Sequence, residues 1–471
     1  MHDRSGCFAA RSCNKFHGVA VNAVGNVTRI VSMKFAPLLI SVPLAWSMAF
    51  QSLSVYAQTP LPLPPRTQPS PLPPRTPAPA RPTNGGVCPA QLGNSLDRIV
   101  NGLPANWSVL VQTQAAPGTR RNLYSRNPFT QLAPASNNKI FTTAAALVRL
   151  GAQYQIRTPV LGNSNTPDLA TLRVIGQGDP SFGNAQLNSL TQQLRQRGIR
   201  QVNQLIGDDT AFRGAEFNPN WNPTHRGEPY APLINSLMLN QNSTYSYAIS
   251  NPGNNFVGEF RSRLASAGIQ VKSSTLVKRT PAPVGEVELA SVISPPLSSL
   301  IFSTNQDSDN AYAEALLKTL GRLQDPNSLD TTTSGIAAVR SILTELGVNA
   351  NRYRMVDGSG LASSNRASAE AFVQTLQAMA LRPDAATFRR SLPVGGVSGT
   401  LSSRFRGTPA QGIVSAKTGT ISGVVALSGY VTPRNYSPIV FSILVNSGNS
   451  ASTVRASVDS LVVALTRLQD C

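Results

Sequence analysis

The chain has 471 residues, enough for two or three domains with a sizeable core. Its 41 basic and 22 acidic residues give a net charge of +19, which favours an anionic partner. The basic residues form no dense stripe and are not interleaved with aromatics, so nucleic-acid binding is not predicted. Only one histidine, His225, follows residue 57, which argues against a histidine-rich zinc site and leaves a Ser-His-Asp triad dependent on that residue.

Residues 1–57 have the pattern of a leader with a signal peptide. An apolar run from Phe35 to Phe50 follows Lys34, and residues 55–57 are typical of a cleavage site. The run is short for a membrane span and contains Pro43, so we expect export with no stable membrane span after cleavage. Cleavage leaves 36 basic and 21 acidic residues, or +15, which suits an acidic cell-wall polymer or a membrane surface.

Residues 58–87 are rich in proline and are predicted to form an extended linker. Two cysteines remain after the leader, Cys88 and Cys471, one near each end of the folded part. This placement favours a disulfide in an exported protein. A free pair, or a cysteine linked to another chain, remains open.

A lysine begins the otherwise apolar helix that is predicted after Ser136. Apolar residues recur at helical spacing from Ile140 to Leu150, and Lys139 shares a helix face with Ser136. If that face turns inward, the ammonium is held where charge is costly to desolvate. The alternative is an ordinary capped helix whose lysine reaches solvent.

Two further clusters follow. Ser308-Asp309-Asn310 precedes a predicted helix, and the first and third of these residues can point into one cleft. The other cluster, Lys417-Thr418-Gly419-Thr420, continues a strand that starts at Ile413. The runs Val424–Val431 and Ile439–Val445 are predicted to be its antiparallel neighbours. Each cluster alone fits a capped helix or a glycine bulge, but the order Ser-x-x-Lys, Ser-Asp-Asn, Lys-Thr-Gly is typical of serine acyl transferases.

With these clusters, the chain resembles the low-molecular-mass class C penicillin-binding proteins, a family of D-alanyl-D-alanine carboxypeptidases and endopeptidases. The likeness covers most of residues 88–471. It includes Gly178-Asp179-Pro180-Ser181, Gly207-Asp208-Asp209, Tyr230-Ala231-Pro232, Ser294-Pro295-Pro296-Leu297, Ala313-Glu314, Asp357-Gly358-Ser359-Gly360-Leu361 and Gly399-Thr400-Leu401. The long separation between Lys139 and Ser308 is also typical of class C members, which carry extra domains there.

The resemblance implies an α+β fold: a serine transpeptidase/β-lactamase-like domain, with an antiparallel sheet covered by helices, and a β-rich accessory insertion. Residues 88–158 and 286–471 would form the catalytic domain, and residues 159–285 the insertion. Strands at Trp107–Thr113 and Asn122–Ser125 would join the late strands under a helix at Ser452–Leu465. The first and last helices would lie side by side, which would pair Cys88 with Cys471.

The resemblance also implies a mechanism that needs no metal or cofactor. Ser136 would attack the carbonyl between two terminal D-alanines, with Lys139 as general base, to give an acyl-enzyme that water hydrolyses. Ser308 would relay the proton to the leaving amine, and Asn310 would hold Lys139 and the substrate amide. Lys139 would lie in a pocket where its amine can be neutral, and Lys417, as a nearby like charge, would lower its pKa.

The Lys-Thr-Gly strand would bind the end of the substrate. Lys417 and Thr418 would hold its free carboxylate, and Gly419 would let the backbone approach it closely. The backbone N–H groups of Ser136 and Thr420 would form the oxyanion hole.

The implied partners are peptidoglycan peptides and, as covalent inhibitors, β-lactam antibiotics, met in the periplasm or at the cell wall. A β-lactamase, a non-catalytic cell-wall-binding protein and an esterase based on His225 remain as alternatives. Class C relatives often read the diaminoacid of the stem peptide with an acidic residue and an arginine. Glu228 and Arg366 only approximate their positions, which leaves peptide selectivity open, as well as the balance of carboxypeptidase and endopeptidase action.

Overall fold

The structure is a computed structural model that describes residues 86–277 and 285–471. The predicted leader, residues 1–57, and all but the last two residues of the predicted linker, 58–87, lie outside the described residues. No helix within the described ranges is long and apolar enough to cross a membrane.

The described helices are α1 (Pro89–Asn101), α2 (Lys139–Leu150), α3 (Asn184–Gln196), α4 (Pro252–Ser266), α5 (Leu297–Gln306), α6 (Asn310–Gln324), α7 (Thr331–Glu345), α8 (Ala369–Ala380), α9 (Ala385–Ser391) and α10 (Ala451–Thr466). The described strands are β1 (Asn106–Thr113), β2 (Asn122–Arg126), β3 (Arg157–Gly162), β4 (Asp168–Ile175), β5 (Gln201–Asp208), β6 (Gln270–Val277), β7 (Val287–Ile293), β8 (Tyr353–Arg354), β9 (Arg366–Ala367), β10 (Val414–Ile421), β11 (Val424–Val431) and β12 (Ile439–Asn446).

The first sheet is antiparallel and joins the two ends of the described chain. Its strand order is β10-β11-β12-β1-β2, so β10 lies at an edge. Side chains alternate along β1: Leu110 faces the cluster that includes α2 and α8, whereas Val109 and Val111 face α1 and α10. Helices therefore cover both faces, and the predicted fold of an antiparallel sheet covered by helices is confirmed.

The second sheet has the order β6-β5-β4-β3-β7 and mixes two pairing directions. β4, β5 and β6 run parallel, whereas β3 pairs antiparallel with both β4 and β7. Parallel neighbours need crossover connections, and α3 and α4 lie in those connections. Residues 159–285, predicted to be a β-rich insertion, thus hold these two helices besides their strands. A separate apolar cluster packs these helices on the sheet.

The two ends of the described chain meet beside α1. Cys88, the N-cap residue of α1, is joined to Cys471 by a disulfide bond. Backbone bonds support the junction: the N–H of Val87 donates to the carbonyl of Arg467 (2.9 Å), and the N–H of Gln469 donates to that of Val87 (3.1 Å). This junction lies on the face of the sheet that carries α1 and α10.

Candidate active site

Ser136 lies in a tight 3₁₀ turn, Ala135–Asn138, rather than in the helix itself, which begins at Lys139. The residue before it, Ala135, has a positive φ of 47°, a conformation that costs roughly 1–3 kcal/mol and recurs at functional sites. The turn is clamped by two glycines. A Cβ on Gly360 would lie 1.9 Å from the carbonyl oxygen of Ala135, and one on Gly419 would lie 2.5 Å from that of Pro134.

This close contact gives Gly419 a role besides the predicted one. We predicted that this glycine lets the strand approach a ligand closely. In the structure it lets β10 approach the turn that carries Ser136, because any side chain there would collide with the backbone of that turn. Gly419 therefore fixes the distance between two parts of the site.

Lys139 is fully buried and makes three short contacts. Its Nζ lies 2.6 Å from Asn310 Oδ1, 2.7 Å from the carbonyl oxygen of Ser359 and 3.1 Å from Ser136 Oγ. The amide and carbonyl oxygens can only accept hydrogen bonds, and a neutral amine has two N–H donors and one lone pair. The two N–H groups of Lys139 can donate to the oxygens of Asn310 and Ser359. The lone pair is then free to accept the hydroxyl proton of Ser136. The geometry thus fits a neutral lysine acting as a base.

Burial lowers the pKa of Lys139 to about 8, although the carboxylates of Asp357, Asp309 and Glu314 act in the opposite direction. We had expected this lowering from a pocket that disfavours the ammonium and from Lys417 as a nearby like charge. Desolvation is the main cause, whereas the like charge acts on Lys417, whose pKa Lys139 lowers further.

Ser308 and Asn310 lie at the start of α6. Asp309 caps this helix by accepting from the N–H of Tyr312 at 2.9 Å, and Ser308 has a positive φ of 60°. Asn310 donates from Nδ2 to the carbonyl of Tyr230 at 2.7 Å, which aims its Oδ1 at Lys139. The side chains of Ser308 and Asn310 therefore point into the site, while Asp309 caps the helix.

Lys417 is also fully buried, on edge strand β10. Its Nζ donates to Ser308 Oγ (3.0 Å) and to the carbonyl of Thr418 (3.1 Å). Burial lowers the pKa of Lys417 well below its usual range, and the nearby charge of Lys139 lowers it further. The Thr418 hydroxyl is 2.7 Å from that of Thr400. Lys417 thus contacts Ser308 directly, and the two threonine hydroxyls are the more exposed polar groups beside it.

Two buried carboxylates support the site from behind. Glu314 Oε1 accepts from the N–H groups of Gly358 (3.0 Å) and Ser359 (2.8 Å), the residue whose carbonyl holds Lys139. Asp357 accepts from the N–H of Gly360 (2.7 Å) and from Trp221 Nε1 (3.0 Å). Burial raises the pKa of Glu314 to about 7 and also raises the pKa of Asp357. Both carboxylates therefore fix the backbone that positions the base.

A cleft of about 540 Å³ opens onto this network. Its walls include Ser136, Ser308, Asn310 and Thr420, together with His225. The His225 ring packs edge-on against Tyr230, with 5.4 Å between the ring centres. Because Lys139 and not His225 contacts Ser136 Oγ, the described residues offer no Ser-His pair for an esterase.

The chain is similar in sequence to known proteins. A model of the D-Ala-D-Ala carboxypeptidase 3 (S13) family matches residues 92–257 and 241–468. A curated relative, D-alanyl-D-alanine carboxypeptidase from Actinomadura sp. (strain R39), is 30% identical over 82% of this chain and 87% of its own. The chain belongs to the D-Ala-D-Ala carboxypeptidase 3 (S13) family. Its predicted placement among the low-molecular-mass class C penicillin-binding proteins is thereby confirmed.

Solved structures share the fold of this S13 chain. Penicillin-binding protein 4 (dacB) from Haemophilus influenzae has a TM-score of 0.71 at 22% identity and covers 79% of this chain and 98% of its own. Bd3459, a predatory peptidoglycan endopeptidase from Bdellovibrio bacteriovorus, has a TM-score of 0.54 at 19% identity and covers 77% of this chain and 93% of its own. At these identities the likeness extends to the fold alone.

Several residues of this S13 site were not predicted to act in it. The carbonyl of Ser359 and the carboxylate of Glu314 lie in segments that resembled the family but received no role, and Thr400 lies in another. The sequence around Ala135 does not indicate that this residue has a positive φ. For Ser359, Glu314 and Thr400, the likeness of a short segment to the family was thus the only signal in the sequence.

Proposed function

We propose that this protein is a serine-type D-Ala-D-Ala carboxypeptidase that acts on peptidoglycan stem peptides through an acyl-enzyme. The observation that carries the proposal is the buried contact between Lys139 Nζ and Ser136 Oγ, made by an amine whose pKa is lowered to about 8. A base of this kind can take the hydroxyl proton as Ser136 attacks the scissile carbonyl. Family membership supports the same reaction.

In the proposed mechanism, the Ser136 oxygen forms a bond to the carbonyl carbon while its proton moves to Lys139. The resulting oxyanion is held by the backbone N–H groups of Ser136 and Thr420, each worth roughly 3–4 kcal/mol. The C–N bond then breaks as Ser308, in contact with Lys417, gives its hydroxyl proton to the departing amine of D-alanine. The proton that Lys139 took from Ser136 then passes to Ser308 and restores both groups. Water finally hydrolyses the ester and restores Ser136.

The free carboxylate of the substrate is assigned to the Lys-Thr-Gly strand. Thr418 and its neighbour Thr400 present hydroxyl groups there, and Lys417 lies behind them with its Nζ 3.1 Å from the carbonyl oxygen of Thr418. Gly419 keeps this strand close to the turn that carries Ser136. The arrangement favours substrates that end in a carboxylate.

We also propose endopeptidase action on cross-linked stem peptides and export to the periplasm or cell wall. The same acyl transfer would cut any peptide bond that follows a D-alanine presented to Ser136. Export is supported by the leader pattern in residues 1–57. A cross-linked peptide dimer that ends in no free D-Ala-D-Ala tests the endopeptidase reaction separately.

The experiment that tests the proposal measures D-alanine released from a short peptide ending in D-Ala-D-Ala. The mature chain should release D-alanine from this peptide and nothing from the matched peptide ending in L-Ala-L-Ala. Ser136→Ala should abolish the release, whereas His225→Ala should leave it intact because His225 does not contact the nucleophile. Absence of release, or release that needs His225 and not Ser136, would refute the assignment.

A further inference from the structure

A short turn near the cleft presents two tyrosines to solvent. Tyr245 is fully exposed, and 56% of Tyr247 is exposed. The turn is closed by a β-bridge between Ser243 and Ala248, and the N–H of Thr244 donates to the carbonyl of Tyr247 at 2.8 Å. The rings thus extend from a backbone that is already fixed, so little conformational entropy of the backbone would be lost on binding.

The turn is continuous with the catalytic cleft. The N–H of Ala248 donates to the carbonyl of Gly227 at 2.8 Å, in the loop that carries His225 and Tyr230 along the cleft. Ser243, at the base of the turn, lines a cavity of about 210 Å³ together with Tyr230 and Ser308. A polymer whose peptide end reaches Ser308 would therefore leave the cleft beside this turn.

The chemistry of the turn favours a neutral, hydroxyl-rich ligand. The segment from Ala231 to Gly258 contains no charged residue, in a chain whose net charge is +19. An anionic polymer or membrane surface would be met by basic residues instead. Exposed tyrosines among serines, threonine and asparagines combine flat apolar faces with hydrogen-bonding groups. The C–H faces of a sugar ring, with hydroxyl groups at their edges, match both features.

We propose that Tyr245 and Tyr247 form a stacking platform for the glycan strand that carries the stem peptide. The inference rests on the proposed function, because that function places a peptide in the cleft and its glycan outside. It assigns a substrate-binding role to residues 243–248, which lie in the segment 159–285 that we propose to be an accessory domain. The platform would favour polymeric peptidoglycan over short free peptides.

The test compares Tyr245→Ala/Tyr247→Ala with the wild-type mature chain and with two controls. Phe302→Ala removes another aromatic side chain, 49% exposed, from helix α5, and Tyr245→Phe/Tyr247→Phe keeps both rings. Co-sedimentation with insoluble glycan stripped of its peptides should fall on the order of tenfold for the double alanine variant, as for other ligands that stack on aromatics. Both controls should bind like wild type.

Activity assays separate this inference from the proposed function. The double alanine variant should release D-alanine from a short peptide at the wild-type rate but more slowly from intact peptidoglycan. If wild type releases D-alanine from neither substrate, the proposed function fails whatever the glycan result. If wild type does not bind the stripped glycan, or the double alanine variant binds it equally well, the platform is refuted, and a protein partner captured by the turn would have to be sought instead.

Discussion

The two five-stranded sheets stand beside buried basic side chains that have opposite kinds of partner. Next to the first sheet, Lys139 and Lys417 are fully buried and donate to hydroxyl, amide and carbonyl oxygens, none of which carries a charge. In the second sheet, Arg173 is 4% exposed and lies between Asp208 (3.5 Å) and Glu286 (3.2 Å). Burial among uncharged partners lowers the pKa of both lysines. The two carboxylates beside Arg173 instead compensate the permanent charge of its guanidinium group.

We propose that this difference separates a region that performs the chemistry from one that only stabilises the fold. A base must lose its proton at working pH, so partners that do not stabilise the ammonium are an advantage. A structural cation needs the reverse, because an uncompensated charge in a sheet core costs several kcal/mol. Substitutions in the two regions should therefore affect different measurements.

The largest effect is expected for Lys139→Ala. Loss of the general base should slow acylation by benzylpenicillin at least about a hundredfold, since positioned acid–base groups contribute roughly 10²–10⁴. The matched change is Lys318→Ala, which removes another buried lysine, one that donates to the backbone carbonyl of Ala215. Stopped-flow or gel-based acylation of the folded protein should show wild-type rates for Lys318→Ala. Comparable loss in both variants would contradict the assignment of Lys139.

Arg173→Met should act on stability instead. It leaves two buried carboxylates without their cation, so the free energy of unfolding should fall by roughly 3–5 kcal/mol. Arg157→Met is the control on the same sheet, because its pair with Glu288 is largely exposed and is worth at most about 1 kcal/mol. Denaturant titration measures both variants. The folded fraction of both variants should be acylated by benzylpenicillin at the wild-type rate. Slow acylation of folded Arg173→Met would contradict a purely structural role for Arg173.

The disulfide is expected to stabilise the catalytic part without entering the chemistry. Cys88 and Cys471 are separated by 383 residues, and the chain-entropy model gives on the order of 5 kcal/mol as an upper bound for such a loop. Cys88→Ser/Cys471→Ser should therefore lower the unfolding midpoint and leave acylation unchanged. Non-reducing peptide mapping of exported wild-type protein should recover the two peptides linked. Two alkylatable thiols would refute the pairing.

The smallest predicted effect is the pH dependence of acylation. The pKa of Lys139 is lowered to about 8, and only the neutral amine can accept the Ser136 proton. The neutral fraction grows as the pH rises through that value, so the acylation rate should increase about tenfold from about pH 7 to about pH 9 and then level off. Rates with benzylpenicillin across this range measure it. A rate that is flat or falls with pH would mean that the reactive form of Lys139 is not the neutral one.

The sequence predicts much of this fold because the relevant signals are local. Apolar runs located β11 and β12, and helical spacing located the helix after Ser136, although the serine itself lies in a 3₁₀ turn. Motif order predicted that Ser136, Lys139 and Ser308 act together. No local pattern reports which distant backbone carbonyl will hold an ammonium, so Ser359 could not be identified.

The main cause of the low pKa of Lys139 is likewise hard to read from a local sequence pattern. The low pKa of Lys139 depends on how completely the surrounding elements exclude water, and burial is a property of the packed structure. A nearby like charge is easier to infer from a motif, which is why Lys417 was expected to contribute to the lowered pKa. The parallel strands β4, β5 and β6 were missed for a related reason, because short apolar runs do not specify the direction of their neighbours.

Mass spectrometry after incubation with benzylpenicillin tests the central claim most directly. A strained lactam mimics the acyl donor, so the wild-type chain should gain one penicilloyl group, located on the peptide that contains Ser136. Ser136→Ala should gain none, although its fold and its cleft remain. An adduct that persists in Ser136→Ala, or that maps to another residue in wild type, would contradict the account.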